Sequence, residues 1–121
     1  MSTMMNNKRH ALRFEKVFPV IVSSDAFGEV NAMARNISAG GILLEVAEPL
    51  PLGTAVRIHF WMPESQAQIV ARGEVKNHYF LNFSDGAGQR SLTGMAVRFT
   101  EFEAESADSL GEGLGRLRIL H

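Results

Sequence analysis

Two clusters of residues in this chain carry chemistry. The first is Arg9 and Arg13, with three residues between them and Lys8 before them. Guanidinium groups are planar, permanently charged and forked. They suit bidentate donation to the O6 and N7 edge of a guanine, and stacking on a base face while neutralising phosphate. The second cluster is Asn36-Ile37-Ser38-Ala39-Gly40-Gly41, running into Ile42-Leu43-Leu44. An amide and a hydroxyl there supply donors and acceptors on one side of a turn whose glycines let another group approach the backbone closely. Each cluster also has an ordinary explanation. Arg9 and Arg13 fit a solvated basic tail, and Asn36 to Gly41 fits an Asx- or Ser-capped turn.

Other chemistry has little to stand on. His10, His59, His78 and His121 show neither an H-x-H nor an H-E-x-x-H spacing. Asp25, Asp85 and Asp108 sit where turns or a helix start are expected, which suits capping better than acid–base work. Gly111-Glu112-Gly113-Leu114-Gly115 imitates a phosphate loop but lacks the G-x-x-x-x-G-K-[ST] pattern and does not join a strand to a helix. Trp61, Tyr79 and Phe80 are able to stack on a base, although residues of that kind on a barrel wall more often serve packing. No catalytic grouping emerges, so the chain is not expected to be an enzyme.

The elements that must hold these residues follow from composition and periodicity. At 121 residues, 45% of them hydrophobic, the chain is expected to form one domain with a real core. It has no cysteine, which excludes disulfides and thiolate metal sites. Twelve basic and 13 acidic residues leave a net charge of −1, against a non-specific nucleic-acid or anionic-membrane binder. No apolar run is long enough to span a membrane, and Met1 to His10 lacks the apolar core of a signal peptide. A cytoplasmic location is the expectation.

Met1 to Asn7, polar and aperiodic, is expected to be disordered. Strands are predicted at Val17–Val22, Glu29–Arg35, Ile42–Val46, Ala55–Met62, Gln68–Val75 (continuing towards His78) and Ser91–Phe99. Leu81 to Arg90, polar and glycine-containing, reads as a loop. From Glu101 to Leu117 acidic residues come early and arginines late, as a helix dipole prefers, and Leu110, Leu114 and Leu117 share a face. Three glycines there predict a short or frayed helix. Six short strands and one helix imply a small antiparallel barrel.

Arg9-x-x-x-Arg13 followed by Asn36-x-Ser38-x-x-Gly41, ahead of such a barrel, resembles the PilZ domain family, whose signature is R-x-x-x-R and then [D/N]-x-S-x-x-G. The likeness continues through Gly53, Ala71-Arg72-Gly73-Glu74-Val75 and Gly94-Met95-Ala96-Val97-Arg98-Phe99, covering roughly residues 8 to 102. It implies an all-β fold with a C-terminal helix: a six-stranded antiparallel β-barrel over 16–100, an arginine clasp over 8–14 and a helix over about 103–117, all in a single domain, 8–121. It also implies binding of cyclic di-GMP, the bacterial dinucleotide second messenger, and no other cofactor.

By that likeness Arg9 and Arg13 clamp guanine bases and phosphates, and Asn36 and Ser38 bond a guanine edge or a phosphate from the barrel surface. Gly41 lets the backbone approach the ligand. Lys8, a basic residue before the first arginine, points to an intercalated ligand dimer. Ordering of the clasp then offers a new surface to an effector protein. Two features depart from the pattern: Asn36 replaces the commoner Asp, and the helix is unusually rich in glycine. One rival keeps the fold as a protein-interaction module of pilus or motility machinery, although such domains usually lack the arginine pair or the Asn-Ser-Gly triad. A second, a single-stranded nucleic-acid binder using Arg57, His59 and Trp61, is opposed by a pI of about 6.4.

Overall fold

Ala55–Trp61 shows how the barrel is built. Val56, Ile58 and Phe60 are buried while Ala55, Arg57 and Trp61 face solvent, the period-two pattern of a strand with one dry face. Burying a side chain such as Phe60, fully enclosed here, contributes about 2–3 kcal/mol. The computed structural model describes residues 17–86 and 88–120. In chain order it contains β1 (Phe18–Ser24), β2 (Gly28–Ile37), β3 (Gly41–Glu45), β4 (Ala55–Trp61), β5 (Gln68–Asp85), β6 (Gly88–Phe102) and α1 (Ser106–Leu120). The strands close into a barrel in the order β1-β2-β3-β6-β5-β4, with every neighbouring pair antiparallel. This is the six-stranded antiparallel barrel with a C-terminal helix that the sequence implied.

The core runs through the barrel and under the helix. Val20, Val22, Leu44, Ile58, Phe60, Val75, Met95 and Val97 line it, and Leu110 and Leu114 of α1 join the same cluster. The helix is tied down before its first turn. Buried Ser106 accepts the Val70 N–H at 2.8 Å through Oγ, and the Glu103 N–H donates to the Val70 carbonyl at 2.9 Å. Gly113 lies beneath Met62, where an added Cβ would stand 2.5 Å from Met62 Cε. One glycine of the helix is thus there for closeness to the barrel.

Three register shifts interrupt the ladders, one of them between Arg72 and Gly73, where β6 carries Thr100 as its extra residue. In β2 the register shifts between Ala34 and Asn36, leaving Arg35 as the extra residue. Ala32 and Ala34 point inward before the bulge and Ile37 points inward after it. In β5 a shift between Val75 and Asn77 has the same effect at Lys76. Each bulge exchanges the inner and outer faces of the strand beyond it.

The elements differ from expectation at three places. The loop read at Leu81 to Arg90 is instead the end of a long hairpin, with pairs from Phe80↔Thr93 out to Asp85↔Gly88. Its polar residues resemble those of a loop, while the strand is continued by backbone pairing with β6 that closes at Asp85↔Gly88, with Gly86 in the turn. Asn36 belongs to β2, and the connection to β3 narrows to Ser38–Gly40. The helix starts at Ser106 and runs to Leu120, 15 residues, where about 103–117 and a short or frayed element were expected. Lys8, Arg9 and Arg13, the clasp over 8–14 and the disorder expected of Met1–Asn7 lie outside the described residues.

Candidate functional site

Asn36, Ser38 and Gly41 come together at one end of the β2–β3 hairpin. Asn36 is half-buried and, through the Arg35 bulge, sits on the outer face while Ile37 fills the core. The turn is self-satisfied: the Ser38 N–H donates to the Gly41 carbonyl at 3.0 Å, and Ser38 Oγ accepts the Gly40 N–H at 3.3 Å. The capped-turn reading therefore holds. It leaves the Ser38 hydroxyl proton available for donation, since a hydroxyl both donates and accepts. The Gly40 carbonyl accepts the Phe99 N–H at 3.0 Å, which fastens the turn to β6.

The turn forms one wall of a groove of about 450 Å³. Asn36, Ser38, Gly40 and Leu43 face Lys76, Asn77 and Tyr79 of β5, with Ala96 and Arg98 of β6 between them. Cross-strand pairing explains the floor: Leu43, Ala96 and Asn77 form one row, and Gly41, Arg98 and Glu74 the next. The small side chain of Ala96 leaves the middle of the groove open. Lys76 lies 3.8 Å from Glu74, while among the described residues Arg98 has no ion-pair partner. Two amides, a hydroxyl, two cations and a half-exposed phenol ring thus converge on one surface. This chemistry suits a flat, hydrogen-bonding, anionic ligand. The volume falls in the range of roughly 300–1,000 Å³ that small ligands occupy.

Lys76, Asn77, Tyr79 and Arg98 complete the groove and were absent from the sequence-derived set. Tyr79 stood out only as a possible stacker, and the Lys76 bulge that turns it outward has no signature in the alternation. Gly41 has a structural duty of its own: an added Cβ would stand 2.6 Å from the Val97 carbonyl oxygen of β6. The crowding that demands glycine comes from the barrel itself.

A second cleft, of about 510 Å³, lies away from the motif and is walled by Pro19, Ile21, Met33, His59 and Trp61. The His59 and Trp61 rings tilt against each other at 4.6 Å. Arg57 on the same strand is held by Glu103 at 3.2 Å, so the basic stripe a nucleic-acid binder needs is already partnered. Among the described residues no group of three or more His, Asp or Glu could hold a metal, and no helix is long and apolar enough to cross a membrane.

The PilZ domain family model matches residues 7–115. No curated protein matches the sequence. Several solved structures share the fold. The Bacillus subtilis inhibitor of motility MotI/DgrA superposes with a TM-score of 0.68 at 22% identity, over 89% of this chain and 50% of its own. The PilZ domain of Escherichia coli YcgR with c-di-GMP gives 0.68 at 10% identity, over 89% of each chain. MrkH, described as a c-di-GMP-dependent transcription regulatory factor, gives 0.71 at 17% identity, over 90% of this chain and 50% of its own. The chain spans about half the length of MotI/DgrA and MrkH.

Proposed function

The chain belongs to the PilZ domain family, and on that footing we propose that it is a cytoplasmic cyclic di-GMP receptor acting as an adaptor. The observation that carries the reading is the groove, in which Asn36 and Ser38 of the signature face Arg98, Lys76 and Tyr79. Asn36 both donates and accepts, so it matches a guanine edge without the fixed charge of an aspartate. Arg98 and Lys76 answer the phosphates, and Tyr79 offers a stacking face.

Arg9 and Arg13 close over the ligand from the N-terminal side, with Lys8 favouring an intercalated pair of ligands. Ordering that segment costs conformational free energy, which stacking and charge-assisted hydrogen bonds must exceed. The closed segment, the ligand and the adjoining barrel wall then present a surface that an effector protein reads. Calorimetric titration of the whole chain with cyclic di-GMP tests the reading: saturable heat at one or two ligands per chain supports it. Absence of heat, with the chain folded, returns the protein to the nucleotide-independent interaction modules.

A further inference from the structure

β4 leaves β5 at Glu74 and β3 leaves β6 at Gly94, so the outer halves of β5 and β6 run on as a two-stranded ribbon. One bond fixes the direction of its backbone groups. The Val46 N–H donates to the Thr93 carbonyl at 3.0 Å, so the backbone of Thr93 faces β3 and turns away from β5. Its partner in β5, Phe80, must then face away from β6, because opposed residues in an antiparallel pair turn towards or away from each other together. By the same alternation Asn82 and Ser84 present their N–H and C=O groups outward. The other side of the Lys76 bulge agrees. The Val75 N–H points outward to the Thr54 carbonyl at 3.0 Å, and the extra residue moves that phase onto His78, Phe80, Asn82 and Ser84.

Among the described residues nothing pairs with this edge. Soluble proteins protect such edges with Lys, Pro or other charged residues. Residues 77–84 contain no Lys, Arg, Asp, Glu or Pro, and Phe80 and Tyr79 are 69% and 45% exposed. An isolated two-stranded ribbon is also marginal on its own.

We infer that the Phe80–Ser84 edge of β5 is a self-association surface, on which a second copy of this chain adds its own β5 antiparallel about a two-fold axis at Asn82. The occupant is an extended strand, since only one matches donors and acceptors presented at every second residue. It is a second copy because the edge complements itself. Phe80, Asn82 and Ser84 of one chain meet Ser84, Asn82 and Phe80 of the other, as a closed two-fold contact requires. No like charges are opposed along it, and the antiparallel arrangement sets the Lys76 end of one copy towards the Asp85 end of its partner.

The inference is independent of the nucleotide reading, because Phe80 and Asn82 do not line the groove. Sedimentation velocity of the whole chain without nucleotide tests it, together with amide exchange at low and high protein concentration. A reversible dimer is expected, with slowed exchange at Phe80, Asn82 and Ser84 as it forms. Phe80→Lys places a charge on the edge, and Asn82→Pro removes an outward N–H that the β5–β6 ladder does not use. Both should be monomeric with cooperative thermal melts. A chain monomeric at every concentration, a dimer that survives both substitutions, or a dimer that leaves those amides unprotected overturns the inference.

Discussion

Gly41 and Val97 are packed so closely across the β3–β6 ladder that a methyl group on Gly41 would stand 2.6 Å from the Val97 carbonyl oxygen. A backbone atom cannot step aside as a flexible side chain can. Gly41→Ala should therefore destabilise the fold by about 1–3 kcal/mol, the cost of overpacking. Thermal and denaturant melts measure it. Unchanged stability with weakened ligand binding would transfer the duty of this glycine to the ligand.

Arg13→Ala should abolish cyclic di-GMP binding in calorimetry and leave the melting temperature where it is. A retained micromolar affinity would remove Arg13 from the clasp. Binding to the unaltered chain should weaken as salt is raised, because exposed contacts between cations and phosphates are screened.

Tyr79→Ala should weaken cyclic di-GMP binding by about 1–3 kcal/mol if the ring stacks on a base, while Tyr79→Phe should bind nearly as well as the original. Equal losses in the two variants would instead assign the contribution to the hydroxyl.

The glycines of α1 should separate cleanly. Gly111 has open space where a Cβ would go, so Gly111→Ala should stabilise by up to about 1 kcal/mol through helix propensity. Gly113→Ala should gain less or lose, because Met62, buried in the core, has to move. Chemical denaturation of both variants side by side reads the difference.

Ser106→Ala leaves the buried Val70 N–H without its acceptor and should cost about 1–3 kcal/mol. Amide exchange at Val70 should quicken by more than at the barrel strands remote from it.

The barrel was legible in the sequence because β1, β3 and β4 alternate and their boundaries carry Gly, Pro or Asn. The motif wall of the groove was legible too, since Asn36, Ser38 and Gly41 are close in the chain. The facing wall was not. Lys76, Tyr79 and Arg98 reach the site through pairings between strands far apart in sequence, and Tyr79 faces it only because Lys76 breaks the alternation. The ribbon is hidden for a related reason: it is held by backbone pairing between β5 and β6, which the polar residues around its turn do not announce. The glycines of α1 looked like poor helix design until Met62 was seen resting on Gly113.

The bulges at Arg35 and Lys76 make the groove a matter of counting. Counted through the extra residue, strict alternation would turn Asn36, or Asn77 and Tyr79, inward; deleting that residue would close up the ladder and leave them on the outer face. In this fold each extra residue bends and twists its strand where the groove forms, so a deletion there would flatten one wall while sparing the signature.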